Sequence, residues 1–207
     1  MHLVLASTSP RRRQILALLG VPFEVVAPKF DEQVSGHVPL GEEVLDFALG
    51  KAQSVAKQYP KSLVIGSDTM IELAGEKIGK PADRNDARRI LRSLSGKLHR
   101  IFTAVAIVDP GGPGLNEIET VVVEMRGYTD GEIENYLASG ESEDKAGAYS
   151  IQGQGSDLIK SICSDYLAAV GMPLRRIARY LQSRGLSVAD VEKLYTEKPF
   201  MNWQKFA

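Results

Sequence analysis

The 207 residues include 43% hydrophobic side chains, with 25 basic residues against 26 acidic ones and a formal charge of -1. That apolar share can bury a core in one domain or two closely joined lobes, which excludes overall disorder, and the balanced charge excludes a global field for a nucleic-acid backbone or an anionic membrane. A single cysteine, Cys163, leaves no intrachain disulfide, no Cys/His cluster has the spacing of a zinc site, and no stretch approaches a membrane span, so a cytoplasmic location is expected. The opening MHLVLASTSPRRRQ puts its basic cluster after a short apolar run, the reverse of a secretory signal.

Leu3 to Ala6 reads as a buried strand, and Ser9 followed by Pro10 supplies the N-cap and first-turn residue of a helix that runs to Gly20. A strand at Phe23 to Val26 leads to an acidic turn at Asp31-Glu32, and Glu42 to Gln58 has helical periodicity. Leu63 to Gly66 reads as an apolar strand that ends on Ser67-Asp68-Thr69, with extended structure resuming at Met70 to Leu73 before a turn at Ala74-Gly75-Glu76. Asn85 to Leu94 makes a basic amphipathic helix, and Arg100 to Val108 and Ile118 to Met125 read as long strands joined by a Gly/Pro loop at 111–114. A helix over Asp130 to Ala138, a Gly-rich segment over Lys145 to Gly155, short strands and a helix from Pro173 to Ser183 complete an α/β order. Residues 1–196 read as a single domain, and 197–207 as a peripheral tail.

Chemistry concentrates at three places. The run Ser7-Thr8-Ser9-Pro10-Arg11-Arg12-Arg13 sits where a strand hands over to a helix, and free N–H groups, the Ser7 and Ser9 hydroxyls and the forked guanidinium groups of Arg11 and Arg12 suit an anion there. The same run reads alternatively as an ordinary cap followed by solvated arginines, although cations in a first turn oppose the helix dipole and call for an anion to offset them. Asp31, Glu32 and Asp68 form the acidic set: Mg²⁺ binds phosphates through one or two carboxylates plus waters, and a further carboxylate can orient or deprotonate a water. A solvated loop pair and a turn or cap residue are the competing readings of those acids. Lys51, Lys80 and Lys145 each lie beside small or turn-forming residues that give a phosphate close access, and Gln152, in a Gly-flanked segment with Tyr149, could read a base edge or merely satisfy backbone groups.

In this order, Ala6-Ser7-Thr8-Ser9-Pro10-Arg11-Arg12, Asp31-Glu32, Lys51-Ala52, Ser67-Asp68-Thr69, Gly79-Lys80-Pro81, Leu94-Ser95-Gly96 with His99 and Thr103, Lys145 to Gly153 and Val170-Gly171-Met172-Pro173-Leu174 resemble the motifs of the Maf family of nucleoside triphosphate pyrophosphatases. The resemblance runs to about Leu186. It implies an α/β fold of the Maf/ITPase-like kind, a mixed twisted sheet with helices on both sides and two lobes around a central cleft, assembled as a homodimer. It also implies hydrolysis between the α and β phosphates with Mg²⁺, or another divalent cation such as Mn²⁺. On this resemblance Asp68 is the general base or water-orienting acid, Glu32 helps Asp68 hold the metal, and Ser7, Arg11, Arg12, Lys51 and Lys80 bind the triphosphate.

The segment Lys145 to Gly153 looks like the branch that prefers dTTP and UTP, including modified uridine triphosphates, with Gln152 discriminating the base, because a pocket built to hydrogen-bond a substrate edge rejects analogues that leave its groups unpaired. A 7-methyl-GTP preference with the same reaction is the alternative within the family, and a non-catalytic nucleotide-binding regulator of cell division is the alternative outside it. Family members are described as house-cleaning enzymes, linked in bacteria to septum formation. The sequence departs from the family pattern at Gly50, where an acid is common, at Ser164-Asp165, where a glycine-containing turn is usual, and at Met172. Neither a nucleic-acid partner nor a membrane partner is expected.

Overall fold

The structure is a computed structural model, described here over residues 1–32, 38–143 and 145–206. Among the described residues seven strands appear in chain order: β1 (Leu3–Ala6), β2 (Glu24–Val26), β3 (Leu63–Leu73), β4 (Glu76–Ile78), β5 (Leu98–Val108), β6 (Leu115–Met125) and β7 (Ile159–Cys163). They form one mixed sheet of order β2-β1-β3-β5-β6-β7, with β4 paired to β3. β1 lies parallel to both β2 and β3, whereas β4 on β3 and β7 on β6 are antiparallel. The helices are α1 (Pro10–Ala17), α2 (Leu40–Ala56), α3 (Arg84–Leu94), α4 (Asp130–Ala138), α5 (Tyr166–Val170), α6 (Leu174–Ser183) and α7 (Val191–Glu197).

The chain divides into two compact units, the first built from Met1–Thr69, Thr103–Glu119 and Val170–Glu197, the second from Met70–Phe102, Thr120–Ala169 and Lys198–Ala207. In the first unit the residues of β1 are all but inaccessible, and Ile15, Leu16, Val44, Ala48, Ala52, Val55, Leu63, Ile65, Ile177 and Leu181 close the core around it. A strand buried on both faces reads as a continuous apolar run, which is why Leu3 to Ala6 and Leu63 to Ile65 show no alternation. In the second unit Ala87, Ile90, Leu91 and Leu94 of α3 and Ile133, Tyr136 and Leu137 of α4 bury one stripe of each helix. α4 is closed by a capping box in which Thr129 and Glu132 satisfy each other's backbone donors.

One expected boundary is corrected. Ser67-Asp68-Thr69 does not end the strand: β3 continues without a break for 11 residues, so Asp68 is an interior strand residue. The polar triplet is tolerated there because each side chain has a partner. Ser67 donates to the Ala104 carbonyl at 2.8 Å, Asp68 accepts from Lys51, and Thr69 pairs with Thr103 at 3.1 Å. The short strands expected after the Gly-rich segment reduce to β7 followed by α5. Of the C-terminal segment, Trp203 is only 4% exposed and stacks on Tyr166 at 5.6 Å.

Candidate active site

The site in the first unit begins with a glycine. Gly66 of β3 faces α2 so closely that a Cβ there would stand 2.2 Å from the Ala48 carbonyl oxygen and 2.8 Å from the Ala52 nitrogen. Only a residue without a side chain lets the helix backbone settle on the strand at this distance. The contact sets Lys51, between those two alanines, opposite Asp68, two residues along the strand. The Lys51 Nζ donates to Asp68 Oδ1 at 2.5 Å and lies 2.6 Å from Glu32 Oε1. One ammonium is therefore shared by two carboxylates, Asp68 nearly buried at 11% side-chain exposure and Glu32 half-exposed at 51%.

Arg12 reaches the same cluster from the first turn of α1. Pro10 at the helix start and Ser9 as N-cap, whose hydroxyl accepts from the Arg12 N–H, fix the direction of that turn. The guanidinium donates to the Gly171 carbonyl through Nε (3.1 Å) and to Thr69 Oγ1 through one terminal nitrogen (3.3 Å), which also stands 3.9 Å from Asp68 Oδ1. Burial lowers the Arg12 pKa from its ordinary value and the Asp68 carboxylate opposes that pull, but guanidinium remains the cation throughout the working pH range. Gly171 itself has φ +128, a conformation that favours glycine. Ser7, 3% exposed, accepts from the Ser9 N–H at 3.1 Å, and Arg11 is half-buried on the same turn.

Glu32 is presented from a loop whose anchor is Phe30. The Phe30 ring lies over Gly50, where a Cβ would come within 2.2 Å of it, and meets Phe47 edge-on at 5.8 Å. Gly50, the position at which the family commonly carries an acid, thus makes room for the ring two residues before Glu32, which lies beside Lys51. Asp31 is exposed. Among the described residues no group of three or more His, Cys, Asp or Glu side chains could hold a metal ion. Two oxygen donors of carboxylate type nonetheless suit a hard cation such as Mg²⁺, which takes one or two carboxylates and completes its shell with water and phosphate oxygens.

Lys80, Lys145 and Gln152 belong to the second unit. Lys80 is exposed, and the carbonyl of its neighbour Gly79 accepts from the Gly147 N–H at 3.0 Å, which ties the Lys80 turn to the segment that begins at Lys145. Gly147 has φ +74, a backbone conformation that favours glycine, and a Cβ there would meet Ile71 Cδ1 at 2.9 Å. Lys145 donates to the Glu143 carbonyl at 3.4 Å. Tyr149 is buried, with its hydroxyl 2.7 Å from Nε2 of His99. His99 is 2% exposed, and burial holds its pKa down at about 4, so the ring is neutral at pH 7. Its Nδ1 has no hydrogen-bond partner among the described residues.

Gln152 is half-buried, and among the described residues its amide has no hydrogen-bond partner. The backbone around it is held by two side chains. Tyr136 accepts from the Ser150 N–H at 3.0 Å, and the Glu141 carboxylate accepts from the Gln154 and Gly155 N–H groups at 3.0 and 3.3 Å. Gly153 leaves the room that Glu141 needs, since a Cβ there would stand 2.2 Å from the carboxylate oxygen. Thr69, Gly171, Phe30 and Glu141 all support site residues through contacts between distant parts of the chain. Of these only Thr69 and Gly171 stood in segments that the sequence had singled out.

The model of the Maf-like protein family matches residues 2–184. The chain belongs to the Maf family. A dTTP/UTP pyrophosphatase of Dictyoglomus thermophilum is 44% identical over 189 residues, spanning 90% of this chain and 98% of its own length. Another, from Moorella thermoacetica, is 44% identical over 188 residues, spanning 90% of this chain and 96% of its own. Among solved structures, a HAM1 protein from Coxiella burnetii superposes with a TM-score of 0.53 at 16% identity, over 88% of this chain and 99% of that one. The Staphylococcus aureus Ham1 protein gives the same TM-score over 89% of this chain and 100% of its own. These two show that the Maf chain shares their α/β fold.

Proposed function

We propose that this protein hydrolyses dTTP and UTP to the monophosphate and pyrophosphate. The observation that carries the reading is the Lys51 ammonium bound between Asp68 and Glu32, with the Arg12 guanidinium fixed beside Asp68. The names of the relatives from Dictyoglomus thermophilum and Moorella thermoacetica support the substrate pair. Asp68 accepts a proton from the attacking water or orients it, because a carboxylate held by an ammonium keeps one oxygen fixed while leaving lone pairs for a water. Arg12, Arg11, Lys51 and Lys80 offset charge on the phosphate oxygens, and the Ser7 and Ser9 turn adds donors at a helix start. Lys145 adds a further cation, and Gln152 pairs with the base edge.

Glu32 and Asp68 would hold Mg²⁺, with Mn²⁺ as an alternative. When bound, the ion supplies charge neutralisation at the phosphoryl oxygens. The two carboxylates already converge on one cation, the Lys51 ammonium, which supports their fitness for this role. A cytoplasmic location is part of the reading, supported by a single exposed free thiol, Cys163, and by the lack among the described residues of any helix long and apolar enough to cross a membrane. Assembly as a homodimer rests on the family resemblance alone.

The test is pyrophosphate release from a panel of dTTP, UTP, dCTP, dGTP and 7-methyl-GTP with Mg²⁺, run on protein shown to be folded by circular dichroism. The reading expects dTTP and UTP to have the highest kcat/KM. Folded protein that releases no pyrophosphate from either would remove it.

A further inference from the structure

The C-terminal segment lies beyond the part of the chain that matches the family, which ends at residue 184, yet it reaches one of the proposed binding elements. The side-chain amide of Asn202 donates to the Ile151 carbonyl at 3.2 Å and to the Gly153 carbonyl at 3.1 Å. These are the residues on either side of Gln152. Lys205 extends the clasp, with its Nζ 3.1 Å from Ser156 Oγ and 2.6 Å from Asp157 Oδ1. The segment is fastened in turn by Trp203, 4% exposed and stacked on Tyr166 at 12° between ring planes, by the Phe206 ring 6.1 Å from Tyr166, and by the Tyr166 hydroxyl, which donates to the Met201 carbonyl.

Asn202 has φ +61, a left-handed conformation that asparagine adopts more readily than other side chains. That turn aims the amide back at the Gln152 loop. Both N–H groups of one amide are thereby spent on two carbonyls of a single loop, a rigid two-point attachment. The flanking backbone at residues 150, 154 and 155 is held by Tyr136 and Glu141, whereas the Gln152 amide makes no hydrogen bond among the described residues.

We propose that the C-terminal segment, through Asn202, is a positioning element for base recognition: it fixes the backbone on both sides of Gln152 so that the side-chain amide is presented in one orientation to a pyrimidine edge. The inference rests on the reading of Gln152 as the base-reading residue. A preorganised donor and acceptor discriminates among bases because no ordering has to accompany binding. A loop released from its clasp still binds phosphates through other residues but selects the base less well.

The test compares wild type, Asn202→Gly, Asn202→Asp and Gln152→Ala. Glycine removes the amide while suiting φ +61, so backbone strain is not confounded with the lost bonds; aspartate is nearly isosteric and cannot donate. KM and kcat are measured for dTTP and dGTP, together with the inhibition constant of inorganic tripolyphosphate, which has no base, and the melting temperature. The expected result is a rise in the dTTP KM of about tenfold for both Asn202 variants, as two neutral hydrogen bonds are lost. The preference for dTTP over dGTP falls by a similar factor, with kcat within threefold and tripolyphosphate inhibition unchanged.

Three results overturn the proposal. If Gln152→Ala shifts base preference and the Asn202 variants do not, the clasp is irrelevant while the Gln152 reading stands. If Gln152→Ala itself leaves base preference intact, the Gln152 reading fails and the clasp falls with it. A loss that extends equally to tripolyphosphate and tracks the melting temperature assigns the segment to general stability.

Discussion

Gly66→Ala tests how the site is assembled, because it adds one methyl group at the contact that places Lys51 over Asp68. The new Cβ would stand 2.2 Å from the Ala48 carbonyl oxygen, whereas ordinary contact begins at 3.4 Å, and the obstruction is helix backbone that cannot rotate aside. Helix α2 must therefore withdraw by about 1 Å, an overpacking strain of roughly 1–3 kcal/mol. The same withdrawal draws Lys51 Nζ away from its 2.5 Å hydrogen bond with Asp68. Misplacement of a reacting group by about that distance lowers turnover by up to 10²-fold. Urea unfolding gives the first quantity and pyrophosphate release at saturating dTTP the second. A Gly66→Ala protein whose stability lies within about 0.5 kcal/mol of wild type, the range expected of an uninvolved site, and whose kcat is unchanged would refute the view that this backbone contact sets the site.

Two further outcomes follow from neighbouring features. Gly50→Ala, on the same helix, meets first the Phe30 ring, which is 37% exposed and can swing outward. Helix propensity gains up to about 1 kcal/mol, so stability should hold or rise slightly while the metal dependence of turnover weakens several-fold as Glu32 loses its anchor, measured as the Mg²⁺ concentration for half-maximal rate. His99 sets a pH dependence: the folded protein keeps it neutral down to about pH 4, while the unfolded chain protonates it near 6.5, so between those values the unfolded state binds more protons. Its contribution is complete above about pH 6.5 and is lost as the pH falls toward 4, on the order of 3 kcal/mol in all. Urea unfolding of His99→Gln between pH 7 and 4.5 should therefore show a shallower loss of stability than wild type; identical slopes would contradict the assignment.

Much of the fold was legible because it follows from local chemistry. The Ser9-Pro10 start of α1, the apolar runs of β1 and the first half of β3, and the helix over Asp130 to Ala138 are each encoded within a few residues. The continuity of β3 through Ser67-Asp68-Thr69 was not legible, because the partners that make a polar interior strand acceptable lie at residues 51, 103 and 104. In the same way the acids and basic residues of the site could be picked out by type, while the sharing of Lys51 between Asp68 and Glu32 required the close approach at Gly66. Gly50 shows how a departure from a family pattern acquires a reason only when Phe30 is seen above it. Ser164, where a glycine-containing turn is usual, keeps the left-handed backbone at φ +88 without the glycine. The attachment of Asn202 to the Gln152 loop joins positions 49 and 51 residues apart, and no local pattern announces such a bond.

The claim on which the functional account turns is that Asp68 acts on the attacking water in the Glu32–Lys51–Asp68 cluster. Asp68→Asn is nearly isosteric, leaves Lys51 paired with Glu32, and removes the negative charge that accepts a proton. Calorimetric titration with dTTP alongside single-turnover pyrophosphate release measures binding and chemistry separately. The account predicts a dissociation constant within about tenfold of wild type and a chemical step slowed by roughly 10²–10⁴-fold, the usual contribution of a positioned acid–base group. An Asp68→Asn enzyme that binds dTTP and releases pyrophosphate at the wild-type rate would contradict it.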